Sequence, residues 1–370
     1  MTYLPVNFFH THVSERSAQL SAETLRSTFI SEGKLVRQFE EELARTLGMV
    51  RPVAVNSGTS ALHLALEVAG VGPGDEVILP AQTFVATGLA ILMCRAKPVF
   101  ADIQAHTGNL DPESFQAKIS PRTKAVIPVH WGGCPCDMDE INAIATAHGI
   151  AVVEDAAHAL GATYKGRPVG SLSRFTAFSF QAIKHLTTGD GGAVCCLDER
   201  DFEAVKRRRW FGIDRVHHLP TLLGEREYNL AEVGFKYHLN DLAAAVGLGN
   251  LPDMPGNLAR HRQIAAAYRG GLKDVAGLSH LHLPADRESS WWMFTMLVER
   301  REDFIRALKS RGVPASVVHL RIDRNQVLGG INNDLTNQRL FDPLQVALPI
   351  HAGLTERDVS TVLEAVKAGW

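Results

Sequence analysis

The 370-residue chain is 45% hydrophobic and 21% charged, and its 38 basic and 40 acidic side chains leave a formal net charge of −2. That balance excludes the basic footprint of a nucleic-acid binder. No apolar run reaches the roughly 18 residues that a membrane span needs, and the length allows one large and one smaller domain.

The opening MTYLPVNFFHTHVSERS lacks a basic region followed by a long apolar stretch, so no signal peptide is expected. Five cysteines, an odd number in a large chain, fit a reduced cytoplasmic thiol set better than a disulfide framework. Cys134 and Cys136, close to His130, have C-x-C rather than C-x2-C spacing and no second pair, so no metal is expected there.

Short apolar runs alternate with helical patterns from about residue 50 to 200: PVAV (52–55), EVIL (76–79), KPVF (97–100), KAVIPV (124–129), IAVV (150–153), TAFSF (176–180) and GAVCCL (192–197). Near-continuous apolar strands are typical of a sheet covered on both faces, and strand–helix alternation predicts an α/β domain with a mostly parallel sheet. After GNLPDMPGN (249–257) the texture changes: a helical LARHRQIAAAYRGGL leads to a strand candidate WWMFTMLVE, a helical REDFIRALKSRG and a strand-like PASVVHL. LGGINNDLTNQ (328–338) is the expected long loop, and TERDVSTVLEAVKAG a final helix with Thr355 as N-cap. The expected division is a large domain over 1–258, with an N-terminal arm over 1–30, and a small α+β domain over 259–370.

Ligands of such sheets bind where strands end and loops turn into helices, and three such places carry polar residues. In VNSGTSALHLALEVAG, Ser57, Gly58, Thr59 and Ser60 form a helix N-terminus, where free N–H groups and the dipole favour an anion or simply end in a cap. It is neither a Walker loop nor a dinucleotide fingerprint, and TTGDGG fails both patterns too. IAVVEDAAH ends a strand in Glu154 and Asp155, as an N-cap or as a fixed charge aimed into a crevice. FSFQAIKHLTTGDGGAV places Lys184 between an apolar run and a glycine-rich turn, with Phe178 and Phe180 expected as an apolar wall and Asp155 as partner. A lysine that forms Schiff bases needs a lowered pKa and an apolar neighbour. With a phosphate-type helix start and a strand-end carboxylate, it completes the protein partners that pyridoxal phosphate requires.

These residues, with FISEGKLVRQFEEELA (29–44), GDEVILPAQTFVAT (74–87), TKAVIPVHWGGCPCDMDEI (123–141) and VGFKYHLNDLAAAVGL (233–248), closely resemble the DegT/DnrJ/EryC1/StrS sugar aminotransferases, which have the fold-type-I architecture. The resemblance implies pyridoxal 5′-phosphate as cofactor, alternating with pyridoxamine phosphate, and a homodimer with shared sites. It implies that Lys184 carries the cofactor and moves the proton, that Asp155 pairs with the pyridine nitrogen, and that His158 lies near the phenolic oxygen. Phe84 and Ala157 would cover the two ring faces; Gly58, Thr59, Ser60 and Ser179 would hold the phosphate, with Lys236 reaching it from the partner subunit. Tyr237, His238, His319 and Arg321 are the candidate substrate contacts.

The implied reaction moves the amino group of L-glutamate, which leaves as 2-oxoglutarate, to a keto group, C4 by expectation, of a nucleotide-linked deoxysugar. Three positions depart from the family pattern: His158 stands where many members have Gln, QAIK replaces His-Pro-x-Lys, and VVHLRIDRNQ (317–326) only loosely matches the sugar-holding segment. One alternative is a keto-deoxysugar 3-dehydratase of the same family, whose members carry His at the lysine position; His185 lies one residue away. Another is a cofactor-binding sensor without catalysis.

Overall fold

The computed structural model describes residues 6–214, 221–225 and 228–370, so residues 1–5 of the expected arm lie outside the described residues. Nine strands precede residue 200: β1 (Pro52–Val55), β2 (Glu76–Pro80), β3 (Lys97–Ala101), β4 (Thr123–Val126), β5 (Ala151–Asp155), β6 (Thr163–Tyr164), β7 (Arg167–Pro168), β8 (Phe175–Ser179) and β9 (Gly192–Cys196). Seven of them form one sheet in the order β1-β9-β8-β5-β4-β2-β3. From β8 to β3 the pairs are parallel, whereas β9 runs against both β8 and β1. Parallel neighbours need a long crossover, here supplied by helices such as Val85–Met93 between β2 and β3 and Met138–His148 between β4 and β5. The β8–β9 connection has no helix, and only antiparallel strands can be joined that way. The arch from Phe180 to Gly191 is that connection, and it carries Lys184.

Both sheet faces are covered, which is why the strands read as apolar runs. Phe39, Leu43, Phe115, Ile141, Phe178 and Phe180 pack on one face. Leu62, Leu66, Leu79, Ile91, Val153 and Phe175 pack on the other. Two further strands, β10 (Leu278–His280) and β11 (Arg287–Glu288), are followed by β12 (Phe294–Val298) and β13 (Gln345–Leu348). β12 pairs antiparallel with β10 and β13, and helices Met254–Gly271, Arg301–Ser310 and Glu356–Lys367 enclose a third core around Tyr268, Phe294, Phe304 and Val362. β11 pairs with β6 and so ties this unit to the large sheet. Thr355 caps the last helix in a reciprocal box with Asp358, as its sequence predicts.

Two expectations need correction. PASVVHL is not a strand: it makes a single bridge, Ser316 to Ala347, and then turns at Val318, whose φ is +62°. A β-branched residue rarely adopts that conformation. The expected loop 328–338 is broken by a helix starting at Thr336, whose first turns receive Asp102: its carboxylate accepts from the N–H of Asn337 at 2.7 Å and of Gln338 at 2.8 Å. The described part of the N-terminal arm reaches across both units. Val6 enters the third core, Phe9 stacks on Trp292 at 5.7 Å, and helix Glu15–Ser27 packs on helix Asp241–Asn250.

Candidate active site

A crevice of about 390 Å³ opens above the C-terminal ends of β5 and β8, where the helix N-termini after β1 and β2 converge. Its floor is Ala177 and Ser179 of β8, with Asp155 of β5 beside them. Side chains alternate along a strand, so Phe178 and Phe180 point to the opposite face and enter the core there. The expected wall beside Lys184 is therefore built by other residues.

At one end, Ser57, Gly58 and Thr59 line the crevice at the start of helix Gly58–Val68. Ser57 is the N-cap and accepts from the Ser60 N–H at 3.0 Å. A Cβ on Gly58 would come within 2.9 Å of the Ser179 Cβ, so glycine lets the helix start close on that serine. The unpaired N–H groups of a helix's first turn, beside Ser179 and Thr59 hydroxyls, suit a phosphate. Ser60 takes part differently from its expected role: its buried hydroxyl donates to Asn56 Oδ1 at 2.7 Å and stabilises the turn from behind.

At the other end stands Asp155, with 7% of its surface exposed. It accepts from the Thr87 hydroxyl at 2.7 Å and from the Ala157 N–H at 3.2 Å. Burial nevertheless pushes its pKa up, against those two bonds and the more distant Lys184. Among the described residues it has no ion-pair partner, so a cationic N–H entering the crevice would relieve a buried carboxylate. Glu154 has a different fate on the opposite face of β5. Fully buried, it accepts from Thr176 at 3.0 Å and shares a 2.8 Å bond with His130, a local structural pair.

Lys184 lines the same crevice but makes no ion pair with Asp155. Its Nζ lies 3.4 Å from the centroid of the Trp292 ring. His158 stacks on that indole at 4.0 Å and 13°, and His319 is parallel to His158 at 5.6 Å. Burial pushes the Lys184 pKa down to about 7, partly offset by Asp155. Burial, reinforced by the Lys184 charge, holds His319 down at about 4 and His158 well below its ordinary range, so both rings are neutral at pH 7.

A stability consequence follows for the cofactor-free protein. Between about pH 7 and the ordinary lysine range, the unfolded chain binds the proton that the folded chain has released, so stability rises with pH there. The penalty is complete below pH 7 and vanishes above the unfolded pKa. Lys184→Met is therefore expected to unfold at a higher temperature than wild type, with a gain largest at or below pH 7 and bounded by about 5 kcal/mol. Thermal melts from pH 6 to 10 check this.

The geometry agrees with comparison to known proteins. The family model of the DegT/DnrJ/EryC1/StrS aminotransferases matches residues 12–367. The chain belongs to that family. It is 37% identical to the spore coat polysaccharide biosynthesis protein SpsC of Bacillus subtilis (strain 168), over 96% of this chain and 94% of SpsC. GDP-perosamine synthase of Caulobacter vibrioides is 35% identical over 93% of this chain and 92% of its own. The crystal structure of the sugar aminotransferase CalS13 from Micromonospora echinospora superposes with a TM-score of 0.94 at 34% identity, covering 99% of this chain and all of that one (100%). Solved structures in pyridoxal phosphate and pyridoxamine phosphate forms also match. The protein is thus a pyridoxal-phosphate-dependent enzyme of the sugar aminotransferase type, with a fold-type-I aminotransferase architecture. The crevice fits that cofactor: a helix start suited to an anion at one end, a buried carboxylate without an ion-pair partner among the described residues at the other, and an amine of lowered pKa.

As a member of the DegT/DnrJ/EryC1/StrS family, the chain separates its remaining candidate residues into two groups. Phe84, Ala157, His158 and His319 join Lys184 and Asp155 in the crevice. Phe84 is 53% exposed at its rim, 5.1 Å from the His319 ring. The strained turn at Val318 aims His319 inward, with the His319 N–H bonded back to Val317 O at 2.8 Å. Outside this chain's crevice stand Lys236, exposed and bridged to Trp210, and His238, bridged to Val55. Tyr237 is turned toward His63, 3.2 Å from its Nδ1. Arg321 is buried in a bidentate pair with Asp323, Nε to Oδ1 at 2.7 Å, and also donates to Asn332 O at 2.9 Å. It braces its own loop.

His185, the candidate behind the dehydratase alternative, turns away from the crevice. Its Nε2 lies 2.8 Å from Ser290 O and its ring 4.7 Å from His261. Sequence reasoning passed over Thr87, Gln181, Asp190 and Trp292, all of which line the crevice. Thr87 had a signal in AQTFVAT, since a residue three places after the helix N-cap Phe84 faces the same end as the cap. Trp292 had none beyond its place in a strand candidate.

Proposed function

We propose that this enzyme transfers the amino group of L-glutamate to a keto group, at C4, of a nucleotide-linked deoxysugar. The observation that carries the reading is the convergence of Lys184, Asp155 and the Ser57–Thr59 helix start on one crevice. Bound there, pyridoxal phosphate supplies an electron sink and a carrier for the amino group. Lys184 holds the cofactor between turnovers. With glutamate in the crevice, its neutral amine would take the proton from the donor's Cα as general base and then, as the ammonium, serve as general acid. Asp155 would keep the pyridine nitrogen protonated, and Gly58, Thr59 and Ser179 would hold the phosphate. Phe84, Ala157 and His158, which line the crevice, would contact the cofactor's ring. After 2-oxoglutarate leaves, the same residues act in reverse on the keto-sugar. Nucleotide-linked sugars are favoured as acceptors because a GDP-sugar synthase is among the relatives.

The working form in this reading is a homodimer in the cytoplasm. Phe29 at 82%, Leu223 at 82% and Val233 at 80% exposure are apolar side chains that such an interface could cover. All five cysteines are free thiols. Lys236 and His238, outside their own chain's crevice, are then in reach of the partner's. Lys236→Ala is expected to leave the dimer intact and weaken cofactor retention roughly tenfold, the worth of one charged hydrogen bond. Sedimentation with cofactor titration checks both halves. For the substrate, incubation of the enzyme with glutamate and a panel of nucleoside diphosphate 4-keto and 3-keto sugars, followed by mass spectrometry, is expected to yield amino sugar only from 4-keto substrates. Amination of 3-keto sugars alone would overturn the C4 assignment, and a deoxygenated product would favour the dehydratase.

A further inference from the structure

We propose that Trp292 is the resting platform of the Lys184 amine: the surface on which the lysine docks whenever it is not bonded to the cofactor, and from which it shuttles the proton. The inference rests on the catalytic role proposed for Lys184 and adds a positioning residue from the other structural unit.

Four observations carry it. First, Lys184 Nζ sits 3.4 Å from the indole centroid, the closest approach of a cation to a ring in the described residues, while Asp155 in the same crevice is left without an ion pair. The negative face of an indole attracts an ammonium strongly and an amine N–H weakly, so the contact persists in both protonation states and favours the charged one. Second, the indole is fixed from several sides. Its Nε1–H donates to Ile183 O at 2.9 Å, one residue from the lysine; His158 stacks at 4.0 Å and Phe9 at 5.7 Å.

Third, the segment bearing Trp292 is laced to both catalytic turns. Ser290 Oγ donates to His158 O at 2.7 Å, on the Asp155 side, and Ser290 O meets His185 Nε2 at 2.8 Å, on the lysine side. Fourth, Trp291 adopts a φ of +54°, an unfavourable conformation for a bulky residue, directly before the platform. Such an outlier persists only where surrounding contacts impose it. Together they place an aromatic surface under a lysine that has to leave the cofactor, wait close by and return in every half-reaction.

The charged and titratable groups around Nζ are Asp155, His158, His319 and Asp190 in the crevice, with His185 and His261 behind the turn. The histidines are all shifted toward the neutral form by burial. The indole is therefore the neighbour whose removal alters the amine most directly without removing a charge.

The test uses full-length, cofactor-free enzyme labelled with trace acetic anhydride across pH 5–10, with acetylation of the Lys184 peptide read by mass spectrometry. Trp292→Leu is expected to lower the labelling midpoint by roughly half to one pH unit, since the ammonium loses its aromatic face while burial persists. Trp292→Phe, which keeps a π face, is expected to stay nearer wild type. Trp292→Met provides a second non-aromatic side chain should the leucine variant fail to fold. In single-turnover reaction of the loaded enzyme with glutamate, the non-aromatic variants are expected to be about tenfold or more slower, with the phenylalanine variant partly rescued. An unchanged midpoint in a folded non-aromatic variant, or a phenylalanine variant as impaired as the leucine one, overturns the proposal. Lys184→Ala runs alongside. If it retains turnover, the lysine assignment has failed; if it is inactive while the midpoint stays fixed in Trp292→Leu, only the platform has failed.

Discussion

Lys184→Ala is expected to fold normally and to lose turnover by about 10⁴-fold or more. Proton transfer by a positioned amine contributes about 10²–10⁴-fold by itself, and the variant also loses the covalent hold on the cofactor. No other base replaces it. His185 is committed to Ser290 O behind the turn, and burial holds the His158 and His319 pKa values far down, which makes both rings weak bases. The long-wavelength absorbance of the lysine-bound cofactor should be absent. Small primary amines added to the solution are expected to restore part of the rate, because the missing chemistry is a proton carrier at a site that remains shaped for one. Near-normal turnover in the unsupplemented variant would show that the lysine had been misassigned.

Asp155→Ala is expected to retain the fold and lose about 10³-fold in turnover, the scale of removing one preorganised charge that stabilises a transition state. The apoprotein gives a contrasting readout. Burial raises the Asp155 pKa, so its penalty to folding grows as pH rises through the carboxylate range and is complete above the folded-state pKa. The variant should therefore be at least as stable as wild type at pH 7 and much less active. Such opposite movement marks a residue placed for chemistry rather than for stability. An activity close to wild type would mean that another group holds the pyridine nitrogen. Thr87→Val offers a milder version: its hydroxyl donates to Asp155 at 2.7 Å, and its loss is expected to cost about tenfold in turnover and about 1–3 kcal/mol in stability.

The parts of the site that were legible in the sequence are those governed by local rules. A strand ending in Glu154–Asp155, a helix opening on Ser57–Gly58–Thr59 and a lysine in a strand-to-strand arch each sit within a few residues of their cause. The Thr355 cap was legible for the same reason. What could not be read depended on the third dimension. The period of TAFSF says that its side chains alternate, but not which set faces the crevice; Ala177 and Ser179 do, while Phe178 and Phe180 fill the core opposite. The wall under Lys184 arrives instead from Trp292, through packing between two structural units. PASVVHL has the composition of a strand, yet the chain turns at Val318 and His319 lines the crevice. Arg321 looked available for an anionic substrate until Asp323, two residues on, proved to hold it.

In the proposed function, Lys184 and Asp155 operate one crevice as an amino-transfer site. The most direct test is the absorbance spectrum of the wild-type enzyme loaded with pyridoxal phosphate, followed on adding L-glutamate and then a nucleotide-linked 4-keto sugar. Glutamate is expected to bleach the long-wavelength band with stoichiometric release of 2-oxoglutarate, and the keto-sugar to restore it. A spectrum indifferent to glutamate, and identical in Lys184→Ala, would contradict the proposed function.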